Sequence, residues 1–293
     1  MAEYTRIDFL KYRYVAAFFS TALLAAGIAG YVYHGGFTWS VDYTGGTQVL
    51  FKLSKPVGSE HLKAALAKEG WGDVVVRELG DADVAIRVKE FTTDVADLAQ
   101  KLKGSLEKEC TDVTCTLQEA NAVGPAAGAM LFMNAVWMTA LVLLAMLAYI
   151  AWRFWSFSYG MGAVIAIFHD AIAILTVFVC AKMEISPIVI CAMLAMIAYS
   201  INDTIIIFSR IRENVAKEKG KSLEVIVNES INQTLRRTLL TSFATSLAAG
   251  ALYVFGGEAL HALSLSFLIG IVIGTYSSIY VASPVMLALR RRI

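Results

Sequence analysis

Residues 186–209 read SPIVICAMLAMIAYSINDTIIIFS, an apolar run whose only charged residue is Asp203. A helix needs about 20 apolar residues to cross the hydrocarbon core of a bilayer. The length and composition of this run therefore predict a transmembrane helix. An acidic residue inside such a helix is energetically expensive, and it marks the run as a candidate functional segment.

The rest of the chain repeats this apolar pattern. Of the 293 residues, 57% are hydrophobic and 17% are charged, and the mean hydropathy is +0.62. These values exclude an ordinary cytosolic globule and a disordered chain, and a net charge of +1 does not indicate a nucleic-acid partner. The runs long enough to span a membrane are 14–33, 129–151, 158–181, 186–209, 238–255 and 262–288. The sequence thus predicts a polytopic α-helical membrane protein, with the first run retained as an anchor because it is longer than a signal peptide's apolar core.

Basic residues near the ends of these runs lie almost entirely on one side. The short loops on the other side, around 182–185 and 256–261, contribute only Lys182. Because positive residues mark the cytoplasmic side, both termini are predicted to be cytoplasmic. The residues of the basic side are Arg6, Lys11, Arg13, Arg153, Arg210, Arg212, Lys217, Lys219, Lys221, Arg236, Arg237, Arg290, Arg291 and Arg292.

The polar stretch 35–125 separates the first two spans and is predicted to lie outside the membrane. Strand composition occurs at 47–53, 73–79, 83–89 and 113–119, and helical spacing at 59–69 and 93–109. Ser59 and Thr93 are the predicted helix N-caps, and the break at 79–83 predicts a hairpin. The β-α-β-β-α-β order predicts a small α+β ferredoxin-like extracytoplasmic domain. The predicted parts are 1–34 (cytoplasmic N-terminus and first span), 35–125, and 126–293 (five spans and a cytoplasmic C-terminus).

Cys110 and Cys115 fall in this outer domain, in a compartment that permits disulfides. Their spacing leaves both a local disulfide and two free thiols open. Nothing in the predicted function depends on the outcome.

Two oppositely charged residues mark spans four and five. Asp203 is predicted in the inner half of the bilayer, and Arg237 opens the fifth span. Asn202 and Thr204 flank the acid. The fifth span also carries hydroxyls on one helical face, namely Thr234, Thr238, Thr241 and Thr245. These groups have the parts of a proton path; alternatively, the charges only brace two helices while the threonines bond to their own backbone.

His169 and Asp170 lie near the middle of span three and are assigned to the same polar path, although a purely structural role also stays open. Neighbouring helical residues diverge by about 100°, so this pair is not assigned to a metal. The sequence contains no GxGxxG, P-loop or HExxH pattern. We therefore predict no catalytic residue, no metal site and no cofactor.

Small residues mark one packing face and two turns. Span six has a stripe at four-residue spacing that favours close packing within the chain, formed by Ser266, Gly270, Gly274 and Ser278. Gly45 and Gly46 follow the first span, and Gly124 and Pro125 precede the second. These four residues are predicted to form turns that act as a hinge of the outer domain.

Several of these segments together resemble the SecD/SecF family of bacterial protein-export subunits, on its SecF side. The segments that carry the resemblance are 42–46 with Thr47, 123–125 with Gly128, 169–170, 199–214, 231–242, 255–258 and 270–284. Their order and separation run along nearly the whole chain.

The resemblance implies one half of an RND-type transporter in the bacterial inner membrane, with SecD as the other half. It implies use of the proton gradient to assist late steps of Sec-dependent export. The implied partners are the SecYEG channel, YajC/YidC and a translocating preprotein. The family's relay acid falls on Asp203 and its relay arginine on Arg237.

Three other functions remain as alternatives. A proton-coupled small-molecule exporter half of the RND class is disfavoured because the outer domain is small. An assembly factor would use the intramembrane charges only as braces. An intramembrane protease would place Asp170 and Asp203 in motifs that the chain lacks.

Overall fold

The computed structural model describes residues 7–72, 74–78, 82–110, 113–218 and 220–290. The chain divides into two compact units, Trp39–Trp137 and a second formed by Met1–Thr38 with Met138–Ile293. Some sequence predictions lie outside the described residues: the hairpin residues Leu79, Gly80 and Asp81, and the basic residues Arg6, Lys219, Arg291 and Arg292.

The smaller unit is built on a four-stranded antiparallel sheet. Its strands are β2 (Gly46–Leu53), β3 (Val74–Glu78), β4 (Asp83–Val88) and β5 (Cys115–Val123), in the spatial order β3-β4-β2-β5. Helices α3 (Ser59–Lys68) and α4 (Val95–Glu109) connect them in the order β-α-β-β-α-β, after a short helix α2 (Val41–Thr44). Antiparallel pairing places β2 between β4 and β5.

The core of this unit follows the apolar periodicity of the sequence. Val49, Phe51 and Leu53 alternate along β2 and are buried, because alternate strand residues point to one face. Both helices cover that face with residues at three- and four-residue spacing. Those of α4 are Leu98, Leu102 and Leu106, and those of α3 are Leu62 and Leu66.

Both predicted N-caps of this unit are wrong. Gly58 occupies the cap of α3 without a side-chain hydrogen bond, and Ser59 is already helical. Asp94, not Thr93, caps α4, and its carboxylate accepts from the Asp97 amide at 3.0 Å. The Thr92 hydroxyl accepts from the Asp94 amide at 3.2 Å, just before the helix. A carboxylate also favours the positive end of the helix dipole, which explains the shift by one residue.

Cys110 and Cys115 are free thiols, and both are buried. Burial raises the pKa of the Cys115 thiol to about 11.

The larger unit contains the apolar helices. They are α1 (Arg13–His34, after a 3₁₀ turn at Leu10–Tyr12), α6 (Phe157–Cys180), α7 (Pro187–Lys217), α8 (Leu223–Phe255), α9 (Glu258–Ser277) and α10 (Ser283–Arg290); α5 (Pro125–Phe154) begins in the smaller unit. Short strands lie at β1 (Thr38–Trp39) and β6 (Glu184–Ile185). In the part of the chain that the structure describes, six helices are long and apolar enough to cross a membrane: Leu10–His34, Pro125–Phe154, Phe157–Cys180, Pro187–Lys217, Leu223–Phe255 and Leu260–Arg290. The prediction of a polytopic helical membrane protein is confirmed.

Spans four and five continue beyond their predicted ends. The predicted 186–209 belongs to the helix Pro187–Lys217, and the predicted 238–255 to the helix Leu223–Phe255. The sequence predicted that Arg237 opens the fifth span. In the structure Arg237 lies well inside the helix Leu223–Phe255. The basic segment between the two runs is helical because its charged residues pair along the helix, as Glu213 does with Arg210 and Lys217.

Candidate functional site

Asp203 lies on the inward face of α7. Ser200, Asp203 and Thr204 are all buried, and the Asp203 side chain is only 1% exposed. Their spacing of three and four residues places them on one side of a helix that packs against α6, α8 and α9. One carboxyl oxygen of Asp203, Oδ2, is buried without a hydrogen-bond partner. Asn202, predicted to support the path, is exposed and points away from this face.

Asp203 and Arg237 are the same number of residues away from the turn between α7 and α8. Asp203 precedes the end of α7 by 14 residues, and Arg237 follows the start of α8 by 14 residues. At about 1.5 Å per residue, each is roughly 21 Å from the turn. Nearer the turn, Asn214 of α7 donates to Ser230 (2.9 Å) and Gln233 (3.0 Å) of α8 and connects the two helices.

The two charges interact without forming an ion pair. Arg237 acts electrostatically on Asp203, but among the described residues no nitrogen–oxygen distance within 4 Å joins them. The Arg237 side chain is exposed.

The predicted hydroxyl stripe of α8 divides into two kinds of residue. Thr234, Thr241 and Thr245 donate to carbonyls of their own helix, at 2.9–3.1 Å. Thr238 is buried, and its hydroxyl has no partner. The structure therefore supports the self-bonding alternative for three threonines and leaves Thr238 as the hydroxyl available to a polar path.

Ser242 of α8 makes hydrogen bonds to two neighbouring helices. Its hydroxyl lies 2.8 Å from the Thr275 hydroxyl of α9, and it accepts from Tyr199 of α7 at 3.5 Å. It thus connects three helices.

His169 and Asp170 of α6 take part in further polar contacts among the helices α6, α7, α8 and α9. We call this set of buried polar contacts the seam. Asp170 Oδ1 lies 3.1 Å from His169 Nδ1, and Asp170 Oδ2 accepts from the Ser200 hydroxyl at 2.5 Å. Ser200 also lies 3.4 Å from the Ser277 hydroxyl of α9. The other imidazole nitrogen of His169, Nε2, is buried without a partner. Sequence reasoning missed Ser200, although its position one turn before Asp203 on the same face was a usable signal.

A π-helical turn at Ser278–Ala282 completes the seam. Ser278 donates to the Ser200 carbonyl at 3.1 Å, and its oxygen lies 3.0 Å from the Thr204 hydroxyl. Pro284 follows the turn and lacks the N–H that an α-helix would donate to the carbonyl four residues earlier. The wider turn, with Ser283 donating to the Ser278 carbonyl at 3.1 Å, accommodates that loss. Such turns are frequent at functional sites.

The small residues of the last span pack within the chain, as predicted. A Cβ on Gly274 would lie 2.8 Å from the Ser200 Cβ, and one on Gly270 would meet Met196. Both contacts bring α9 close to α7.

The glycines at 45 and 46 form a tightly packed turn in the smaller unit. Gly45 and Gly46 have φ values of +72° and +119°, which favour glycine. A Cβ on Gly45 would lie 2.9 Å from the Pro125 Cα, and one on Gly128 would lie 3.0 Å from the Tyr43 carbonyl. Gly124 lies directly before Pro125, where α5 starts. The predicted turns are present, and their action as a hinge stays a prediction.

Within the described residues, no three His, Cys, Asp or Glu side chains come together as metal ligands would.

Comparison with known proteins places these features in a family. Residues 103–292 match the family "Protein export membrane protein SecD/SecF, C-terminal", and residues 33–57 match the "SecD/SecF GG Motif". The chain is 37% identical to the protein translocase subunit SecF of Thermodesulfovibrio yellowstonii, covering 97% of this chain and 95% of the relative. It is 36% identical to SecF of Escherichia coli O157:H7, covering 96% and 87% respectively.

Solved structures show the same likeness. A crystal structure of SecDF, a translocon-associated membrane protein from Thermus thermophilus, superposes with a TM-score of 0.88 at 31% identity over 98% of this chain. This chain spans 39% of that longer protein. SecDF in the super-membrane-facing form gives a TM-score of 0.70 at 32% identity, covering all of this chain and 40% of the other. From the family matches and these nearly full-length likenesses, the chain belongs to the SecD/SecF family of protein-export membrane proteins.

Proposed function

We propose that this chain is the SecF half of an accessory complex of the Sec translocase, which uses proton movement to assist late steps of protein export. The relatives that match nearly their whole length are protein translocase subunits SecF. The observation that carries the proton-coupled part is Asp203, a buried carboxyl that Arg237 influences electrostatically and that has one oxygen without a hydrogen-bond partner among the described residues.

The proposed orientation has both termini on the cytoplasmic side of the bacterial inner membrane. It is supported by basic residues at the corresponding helix ends, such as Arg153, Arg212 and Arg290. The smaller unit is then extracytoplasmic, within the proposed boundaries 35–125. The proposed ferredoxin-like fold of this unit is supported by its β-α-β-β-α-β order.

In the proposed mechanism, protons pass through the seam by way of Asp203. A neutral Asp203 has no charge to attract Arg237, whereas the carboxylate attracts it; loading and unloading therefore alternate two arrangements of α7 and α8. Thr204, Thr238 and the pair His169–Asp170 line the seam and support the path. Moving one charge through 100 mV supplies about 2.3 kcal/mol, a bias of roughly 50-fold between two states.

The proposed partner of this half is SecD. The relative from Thermus thermophilus named SecDF is 37% identical over 96% of this chain, which covers 38% of that protein. In that relative the SecD and SecF halves belong to one chain. This supports a complex between the two halves where they are separate chains. The SecYEG channel, YajC/YidC and the translocating preprotein are proposed as the further partners, and no catalytic role is proposed for the chain.

The test is gradient-dependent completion of export in inverted membrane vesicles. Asp203→Asn keeps the shape of the side chain and removes the exchangeable proton, so we expect the gradient-dependent part to be lost. Arg237→Gln should have the same effect. Asn202→Ala and Arg236→Gln are matched controls because both residues are exposed neighbours, and they should export normally. Unchanged gradient dependence in Asp203→Asn would remove the relay from the mechanism.

A further inference from the structure

Three aromatic rings form a buried cluster at one end of the larger unit. Phe154 at the end of α5 stacks on Tyr159 at the start of α6, with ring centroids 5.6 Å apart and planes at 9°. Phe208 of α7 meets both rings edge-on, at 5.7 and 5.2 Å. All three side chains are buried.

Three arginines surround this cluster. The guanidinium carbons of Arg153 and Arg212 lie 5.4 and 5.9 Å from the centroid of the Phe154 ring. That of Arg290 lies 5.5 Å from the Tyr159 ring, and its Nη1 donates to the Tyr159 hydroxyl at 2.7 Å. The cation–π contacts hold the guanidinium groups against the rings.

These three positive charges share one site without a carboxylate. In the part of the chain that the structure describes, no ion pair involves Arg153, Arg212 or Arg290. The nearby acids of α7 are engaged elsewhere, since Glu213 pairs with Arg210 and Lys217. Like charges gathered in this way repel one another, and a bound anion would relieve the repulsion.

We propose that this arginine–aromatic cluster binds the phosphate of an anionic phospholipid headgroup. The planar guanidinium groups match phosphate geometry. Basic pockets between transmembrane helices on the cytoplasmic side bind such headgroups. Trp152 and Trp155, 67% and 85% exposed beside Arg153, suit the water–lipid boundary. The inference rests on the orientation proposed above and is independent of the proton path.

Quenching of tryptophan fluorescence by brominated lipids tests the site. The full-length chain keeps Trp155 and carries the substitutions Trp39→Phe, Trp71→Phe, Trp137→Phe and Trp152→Phe. It is reconstituted in phosphatidylcholine vesicles that contain an equal fraction of brominated phosphatidylglycerol or brominated phosphatidylcholine. The anionic quencher should be the stronger. The preference should fall about five-fold, or about 1 kcal/mol, for each arginine removed, because each substitution removes a direct contact with the phosphate.

The double substitution Arg153→Gln/Arg212→Gln leaves the Arg290–Tyr159 hydrogen bond in place, so it should keep the fold. Thermal unfolding in pure phosphatidylcholine checks this, and the milder pair Arg153→Lys/Arg212→Lys replaces it where the fold is lost, with a smaller fall in preference expected. Arg236→Gln is the control for surface charge and should keep the full preference.

Three results would overturn the proposal: equal quenching by both lipids in the parent chain, a preference that survives Arg153→Gln/Arg212→Gln, or an equal loss in Arg236→Gln. A fourth separates the lipid from free phosphate. Inorganic phosphate that abolishes the preference, while chloride of equal ionic strength leaves it intact, would identify the site as one for the free ion.

Discussion

Asp203, His169 and Thr238 each carry a buried polar atom that has no hydrogen-bond partner among the residues that the structure describes. Such atoms are rare in folded proteins because an unmade buried hydrogen bond costs about 1–3 kcal/mol. They lie on three different helices, α7, α6 and α8. Unsatisfied groups of this kind are typical of a functional site, and they support the assignment of the seam to proton movement.

At the residue scale, Ser200 has a testable structural role. Ser200→Ala removes the donor that Asp170 accepts at 2.5 Å and leaves a buried carboxyl oxygen unsatisfied. We expect a loss of about 1.5–3 kcal/mol in the free energy of unfolding, measured as thermal unfolding in detergent. Ser266→Ala is the control, since the Ser266 hydroxyl donates only to the Ala262 carbonyl of its own helix. Equal losses of stability in the two variants would contradict the structural role proposed for Ser200.

The buried thiol of Cys115 should make the smaller unit less stable at alkaline pH. Its pKa is raised from 9.0 to about 11 by burial, so the folded chain keeps a proton that the unfolded chain loses. This stabilisation is complete below pH 9 and decreases as pH rises toward 11, by at most about 3 kcal/mol. Hydrogen exchange of the β2 and β5 amides in the full-length protein should show the decrease. Cys115→Ala should reduce it, and a pH-independent exchange stability in the parent chain would contradict the assignment.

The residue types at the site could be predicted from the sequence, but their bonds could not. An acid inside an apolar run is visible without coordinates, which is why Asp203 was identified. Whether Thr241 bonds across the seam or to its own helix depends on the neighbouring helix. The spacing of the threonines is the same in both cases, so periodicity cannot separate them.

At the scale of elements, the approach of α9 to α7 is set by glycine. Gly274 faces Ser200, which in turn bonds to Asp170. A side chain at Gly274 would therefore push apart the helices that form the seam. The small residues of the last span therefore affect the contacts between Ser200 and Asp170 as well as the packing of the helices.

Gly274→Ala should destabilise the larger unit by about 1–3 kcal/mol, because the new Cβ would lie 2.8 Å from the Ser200 Cβ. Gly250→Ala is the matched control, since nothing lies within 4 Å of a Cβ there. Higher helix propensity should make that control neutral or stabilising, by up to about 1 kcal/mol. The fraction of each variant that remains folded after heating, compared with that of the parent chain, measures both effects. Comparable losses would show that helix–helix distance is not what Gly274 sets.

The segment before α1 is tied to α8 by two asparagines. Asn232 exchanges hydrogen bonds with the backbone of Ile7, at 3.0 and 2.8 Å, and Asn228 accepts from the Phe9 amide at 2.9 Å. Asn228→Ala/Asn232→Ala should release this segment at a cost of about 2–4 kcal/mol. Trypsin cleavage after Lys11 is expected to accelerate. Asn202→Ala should leave the rate unchanged, and a resistant double variant would show that other contacts hold the segment.

The helices could be predicted well where the apolar pattern is long. Their ends were predicted poorly, because charged residues and caps determine where a helix begins and ends. All six spans were found, because each run exceeds what a soluble helix needs. The extension of α7 to Lys217 was missed, because its last turns are charged and are held by contacts such as Asn214 with Ser230. The π-helical turn had one signal, Pro284 inside an apolar helical run, which indicates a disturbed helix but not its type.

At the scale of the whole molecule, the exposed Arg237 indicates a missing neighbour. A guanidinium facing lipid is unfavourable, and α8 also exposes Leu240 (57%) and Phe243 (63%). A second chain covering this side of α8 would shield the charge. The proposed SecD half is such a chain.

Thr241→Cys tests this arrangement, because residue 241 is exposed one turn beyond Arg237 on the same face. In membranes that contain both halves, a crosslinker that reacts with thiols should join this cysteine to SecD. Phe18→Cys on the exposed side of α1 is the control and should yield much less product. Crosslinking at residue 18 but not at residue 241 would place the partner elsewhere.

The equal distances of Asp203 and Arg237 from the hairpin turn constrain how the chain can change in length. Residues added between Lys217 and Leu223 would enlarge the loop and leave the number of residues between each side chain and its end of the loop unchanged. A single residue inserted into α7 after Thr204 would instead rotate Asp203 by about 100° relative to the turn. Length variation is therefore tolerable in the connection and damaging within either helix.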